Sequence, residues 1–131
     1  MGAGIRGTVG AMAHVLVVDD DPLFREIASE ILVLDGHTVA QAENGEKAQG
    51  VTDRPDLAVV DMLMPERDGV ETIGDLGRRW PGVKLIAVSS GGRGIGPDLL
   101  LRTAKAMGAH ATMAKPLQPD AFRELVRSLL A

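Results

Sequence analysis

The sequence predicts an α/β domain, a parallel five-stranded sheet doubly wound by helices on both faces. Two observations predict it. Short apolar, β-branched runs alternate with segments whose apolar residues recur at helical spacing, five times along 131 residues. Strands of this kind, covered by amphipathic crossovers that are right-handed, build a parallel sheet buried on both sides.

The elements follow in order. Residues 14–18 (HVLVV) read as a buried strand ending in Asp19, Asp20 and Asp21. Asp21-Pro22 is an N-cap followed by proline at the first helical position. Phe24, Ile27, Ala28, Ile31 and Leu32 then form one apolar helix face, which Asp35-Gly36 ends. Residues 38–42 are a weaker second strand and 45–52 a short polar helix. Residues 57–60 (LAVV) are a third strand ending at Asp61. A loop over 62–68 leads to a helix over 69–79, in which Gly74 and Gly77 each cost about 1 kcal/mol against Ala. Residues 83–88 form a fourth strand, ending in Ser89-Ser90. A glycine-rich loop, 91–96, precedes a helix from Pro97 to Met107, capped by Gly108. Residues 110–114 form the fifth strand, ending at Lys115-Pro116. A last helix from Pro119 carries Phe122, Leu125, Val126, Leu129 and Leu130 on one face. Residues 1–12 read as a disordered Gly/Ala-rich tail and residues 13–131 as one domain, with no internal repeat.

Composition narrows the function classes. A chain that is 45% hydrophobic buries a core without staples, and it has no cysteine for disulfide or thiolate chemistry. The net charge of −4 gives no push towards nucleic acid or an acidic membrane. Phe24, Trp80 and Phe122 are too few aromatics for a base-stacking platform. No apolar run reaches the roughly 20 residues of a membrane span, and the first residues carry no secretory pattern. Neither direct nucleic-acid binding nor membrane binding is expected, and a cytoplasmic location is.

The polar residues at the strand ends carry the chemistry. In such sheets ligands bind beyond the carboxyl ends of the strands. Strand one ends in Asp19 and Asp20, strand three in Asp61, strand four in Ser89 and strand five in Lys115. Strand two ends in Gln41-Ala42, with nothing comparable. Any one of these is an ordinary turn former, cap or solvated charge. Together they place carboxylates, a hydroxyl and an ammonium on one edge. Clustered carboxylates repel each other and call for a cation. Their hard oxygens suit Mg²⁺ or Ca²⁺, and Mg²⁺ pairs with phosphate. A carboxylate is also a nucleophile that forms an acyl phosphate. Lys115 and Ser89 supply the charge and the donor that a phosphoryl group in transfer needs.

Val15 to Pro22 (VLVVDDDP), Val59 to Gly69 (VVDMLMPERDG), the strand ending in Ser89, and Gly108 to Pro116 (GAHATMAKP) are similar to the receiver domain of two-component response regulators. The resemblance covers residues 13–131. It implies a flavodoxin-like (βα)5 sheet of order 2-1-3-4-5 and a signalling switch, not an enzyme with a separate substrate. It makes Asp61 the phosphoacceptor, served by a histidine kinase or histidine phosphotransfer protein. It implies Mg²⁺, held directly by Asp20, mainly through water by Asp19, and by Asp61 and the backbone carbonyl of Leu63. Ser89 and Lys115 then contact the phosphoryl group, and the bond before Pro116 is cis. The fourth helix, fifth strand and fifth helix become the surface that changes. Three features depart from the family pattern. Thr112 stands where an aromatic is usual, the loop after Ser89 is long and rich in glycine, and a stand-alone receiver is expected, with no DNA-binding or enzymatic output domain following.

Other patterns fare worse. A haloacid-dehalogenase-type phosphatase makes Asp19 the nucleophile and Asp21 the acid/base. That family needs a further acidic pair after the lysine, where only Asp120 and Glu124 follow, and it leaves Asp61 without a role. A receiver-like scaffold that is never phosphorylated conflicts with the intact set of acidic residues, Ser89 and Lys115. Residues 92–96 (GRGIG) have the wrong spacing and place for a dinucleotide loop. His14, His37 and His110 lack metal-ligand spacing and read as edge residues. Met62, Met64 and Met113 read as packing. Arg78-Arg79 reads as a solvated helix end or a partner for the helix dipole.

Overall fold

The fold is known from a computed structural model, which describes residues 12–62, 69–89 and 97–131. Five βα units run in order: β1 (His14–Val18), α1 (Pro22–Leu34), β2 (Thr38–Ala42), α2 (Gly45–Gln49), β3 (Leu57–Asp61), α3 (Gly69–Arg79), β4 (Lys84–Ser89), α4 (Pro97–Ala106), β5 (Ala111–Ala114) and α5 (Pro119–Leu130). All strand pairs are parallel, and the sheet order is β2-β1-β3-β4-β5. This is the flavodoxin-like arrangement that the resemblance implies. Among the described residues no helix is long and apolar enough to cross a membrane.

The sheet sits between two apolar layers, and the alternation of side chains along each strand makes them separate. Leu16, Val18, Ala58, Val60, Leu85 and Ala87 face one way, where Ile73 and Leu76 of α3 and Ala104 of α4 cover them. Val15, Val17, Leu57, Val59, Ile86 and Val88 face the other way, under Phe24, Ala28 and Leu32 of α1 and Phe122 and Val126 of α5. β1 and β3 are therefore apolar at consecutive positions, while the edge strands β2 and β5 are only half-buried.

Element ends move by a few residues from the sequence reading. β4 begins at Lys84 because the Val83 N–H turns back to the Trp80 carbonyl, after a left-handed Gly82. α2 stops at Gln49, α4 at Ala106, and β5 starts at Ala111. Asp21 caps α1 as expected: its carboxylate accepts from the Leu23 N–H at 3.0 Å. Gly36 and Gly108 follow their helices at φ +93° and +121°, values that suit glycine.

The apolar face of α1 is narrower than predicted. Phe24, Ala28 and Leu32 are buried, but Ile27 is 43% exposed. At 3.6 residues per turn Ile27 lies about 60° round the helix from Phe24, at the rim of the stripe. The α3 end is more than a solvated charge pair. Arg79 donates to the carbonyls of Gln49 and Val51 at 2.6 and 2.5 Å and stacks on Trp80. It thereby satisfies carbonyls that the end of α2 leaves without helical partners.

Candidate functional site

The site is assembled at the carboxyl edge of the sheet by main-chain register. Asp61 ends β3 opposite Val88, and the Met62 N–H donates to the Val88 carbonyl at 2.9 Å. Ser89 ends β4, buried and opposite Ala114, and the Lys115 N–H donates to the Ser89 carbonyl at 3.0 Å. Asp19 follows β1, and its N–H donates to the Ala42 carbonyl of β2 at 3.1 Å. The Lys115–Pro116 peptide is cis, as the resemblance implies.

Three carboxylates and one ammonium meet there. Asp19, Asp20 and Asp61 each offer one oxygen, all within 4.8 Å of one another. Asp19 is fully buried and Asp61 nearly so, while Asp20 is exposed. Lys115 Nζ lies 2.9 Å from Asp19 Oδ2 and 3.9 Å from Asp61 Oδ2. Asp19 Oδ1 accepts from the Asp21 N–H at 2.9 Å, which folds the acidic run into a tight turn. Burial pushes the Asp19 carboxyl above its usual range. The Lys115 ammonium and the Asp21 N–H oppose that shift, and the Asp20 charge adds to it.

These residues fit a hard divalent cation. Their oxygens are close enough to share one ion, directly or through its waters. The buried Asp19 carboxylate is also held away from its ordinary titration by its surroundings, so added positive charge favours the ionised cluster. Leu63, the remaining expected ligand through its carbonyl, lies outside the described residues, as do Met64 and the loop from Ser90 to Gly96.

Several residues that sequence reasoning passed over also build the site. Gly69, at the start of α3, admits no side chain, since a Cβ there would sit 2.2 Å from the Asp61 carbonyl oxygen. The glycine ending the MPERDG stretch is thus required by close backbone approach. Phe24, read only as core, presents its ring face 4.6 Å from Lys115 Nζ, a cation–π contact beside the ion pairs. Arg25 donates from Nη1 to the Asp19 carbonyl at 2.6 Å and from Nε to Gln41 Oε1 at 3.1 Å. Gly69 closes the stretch 59–69 already singled out, but no local pattern distinguishes Phe24, Arg25 and Gln41 from ordinary helix and strand positions.

Asp21 belongs to the helix cap, because its carboxylate accepts the Leu23 N–H. Met62 is buried under the α3 side of the sheet and Met113 half-buried on the other, both as packing. Thr112 leaves a groove of about 450 Å³ against α4, lined by Asp98, Leu101, Arg102, Lys105 and Ala106.

Comparison with known proteins agrees with this arrangement. The response regulator receiver domain model matches residues 15–127. The chain is 32% identical over 123 residues to the chemotaxis protein CheY of Bacillus subtilis, a match covering 91% of this chain and 99% of that one. It is 36% identical over 109 residues to a cyclic di-GMP phosphodiesterase of Thermotoga maritima, covering 83% of this chain but only 28% of that protein. The chain spans 26% to 48% of several such longer relatives. The crystal structure of Vibrio cholerae chemotaxis protein CheY4 superposes with a TM-score of 0.80 at 26% identity, over 92% of this chain and all of that one. With the family model matched over nearly its whole described length, this chain belongs to the receiver domains of two-component response regulators.

Proposed function

We propose that Asp61 accepts a phosphoryl group from a phosphohistidine on a histidine kinase or phosphotransfer protein. The observation that carries this reading is the meeting of Asp61 with Asp19, Asp20 and the Lys115 ammonium in one pocket at the sheet edge. An Asp61 oxygen attacks phosphorus in line. The new O–P bond forms as the donor's N–P bond breaks, and the leaving imidazole takes a proton from solvent. Mg²⁺ held by Asp19, Asp20, Asp61 and the Leu63 carbonyl would supply positive charge against the carboxylates and the phosphoryl oxygens. Lys115 stands between Asp19 and Asp61, so a phosphoryl charge near −2 on Asp61 draws the ammonium towards it. Ser89 would donate to the same group from the end of β4. The change passes to α4, β5 and α5, starting from Lys115 at the end of β5. Leu23 and Ile27, exposed apolar residues of α1 beside the acidic turn, offer the donor protein a contact surface.

The phosphatase reading lacks its acid/base, since Asp21 is engaged in capping α1. Acetyl phosphate with Mg²⁺ tests the proposal. The protein should gain about 80 Da, the mass of one acyl-linked PO₃H unit, and Asp61→Asn should not. An acid-stable adduct, or one that persists in Asp61→Asn, removes Asp61 from the role.

A further inference from the structure

The three carboxylates are not held alike. Asp19 is buried and paired with Lys115, and Asp61 is part of β3 and nearly buried. Asp20 is exposed, so the packing that fixes its neighbours does not fix it. Its position depends on the peptide that carries it, which joins the Asp19 carbonyl to the Asp20 nitrogen. On one side the Asp19 N–H is tied to Ala42, and on the other the Asp21 N–H is tied to Asp19 Oδ1. The carbonyl between these ties is held by Arg25 Nη1 at 2.6 Å.

We propose that Arg25 is a positioning residue that sets the Asp19–Asp20 peptide for cation binding, with Gln41 at the end of β2 as its anchor. The inference rests on the cation role proposed above. Arg25 begins the hydrogen-bonded part of α1, its own N–H donating to the Asp21 carbonyl at 3.1 Å, so its backbone is rigid relative to the acidic turn. Its guanidinium is a planar fork with donors fixed in several directions. One donor reaches the Asp19 carbonyl, and Nε reaches Gln41 Oε1 at 3.1 Å. A hydrogen bond from a charged donor is shorter and about twice as strong as a neutral one. Gln41 is therefore the contribution of β2 to a site where its own side chain takes no direct part.

Two effects of Arg25 on a cation oppose each other. Its charge repels a second cation, an effect that water and salt screen at this half-exposed place. Its fork keeps Asp20 where it can share the ion with Asp19 and Asp61. Residues that orient metal ligands in this way are worth about tenfold or more in affinity, which exceeds the screened repulsion. Arg25→Lys separates the two effects, because it keeps the charge and loses the fork.

The test is Mg²⁺ titration of the whole chain by calorimetry, with the Asp20 and Asp21 amide signals followed by NMR. Arg25→Lys should weaken Mg²⁺ binding about tenfold and move both amide signals in the metal-free protein. Gln41→Ala, an exposed change, should weaken it about threefold, the worth of one net hydrogen bond. The double variant should match Arg25→Lys alone, because the two act as one unit. Wild-type Mg²⁺ affinity in Arg25→Lys, with the wild type both binding Mg²⁺ and becoming phosphorylated, overturns the Arg25 role and leaves the site reading standing. A wild type that binds no Mg²⁺ overturns both.

Discussion

The two edge strands of the sheet are held alike at one end and differently at the other. β2 follows His37, whose Nδ1 accepts the Ala13 N–H at 3.1 Å, just before β1. β5 follows His110, whose Nδ1 accepts the Leu85 N–H of β4 at 3.1 Å. Each imidazole fastens an edge strand to its inner neighbour, and burial holds each below its ordinary titration range. At the carboxyl end the strands part ways. β5 delivers Lys115 into the pocket, 2.9 Å from Asp19. β2 delivers Gln41, which reaches the site only by way of Arg25. An edge strand can serve a site by inserting a side chain or by bracing one that another element inserts. Only the first leaves a chemical signature at the strand's own end.

The largest break in this comparison is Lys115→Met. It leaves the fully buried Asp19 without its counter-charge, and losing one partner of a buried pair costs about 3 kcal/mol or more. Gln41→Ala, at the matching place on β2, should stay within about 0.5 kcal/mol of wild type. Urea unfolding of both variants measures the contrast, and equal losses would erase it.

The shared histidine device gives a smaller, pH-dependent effect. Each ring accepts a main-chain N–H through Nδ1, so its proton sits on Nε2, and protonating Nδ1 breaks the bond. For His37 burial outweighs the attraction of Asp35 and Asp56; for His110 burial acts together with Lys84 and Lys105. Both folded-state values lie below the ordinary value of about 6.5, so the unfolded chain binds more protons in the window between. The stability that both rings contribute is fully present above pH about 6.5 and is lost as pH falls through the depressed folded values. Asp19, raised in the fold, acts in the opposite sense, so the histidine share is read by difference. His37→Asn with His110→Asn should flatten the fall in unfolding free energy seen between pH about 7.5 and 5.5. Parallel wild-type and variant profiles would show that the rings carry none of it.

The smallest change probes the middle of β5. Thr112→Tyr places a ring in the groove of about 450 Å³ against Leu101 and Ala106, beside Arg102 and Lys105. A cation–π contact at such an exposed place is worth about 0.5–1 kcal/mol, so thermal stability should rise slightly. A loss of more than about 1 kcal/mol would mean overpacking and a groove with no room for the ring.

The chain order of the elements, the parallel sheet and the gathering of five polar side chains at its carboxyl edge were all legible in the residues. Runs such as Val15–Val18 and Leu57–Val60 are apolar at every position because both faces of the sheet are covered, and 0% exposure along each confirms that burial. Asp19, Asp20, Asp61, Ser89 and Lys115 were legible because each ends a strand or follows one within two residues, and parallel strands all end on one edge. Ile27, counted with the buried face, turned out exposed because the width of that face depends on how α1 lies against β1 and α5.

Four contributors to the site depended on tertiary structure. Phe24, Arg25, Gln41 and Gly69 matter through contacts with residues that are distant in the chain or across a loop: the Lys115 ammonium, the Asp19 carbonyl, the Arg25 guanidinium and the Asp61 carbonyl. Hydrophobic period and strand-end chemistry are local, so the sequence by itself determined the sheet and which groups line its edge. Distances between those groups, and the residues that brace them, are set by the packing of helices on strands, and no local stretch of sequence contains that information.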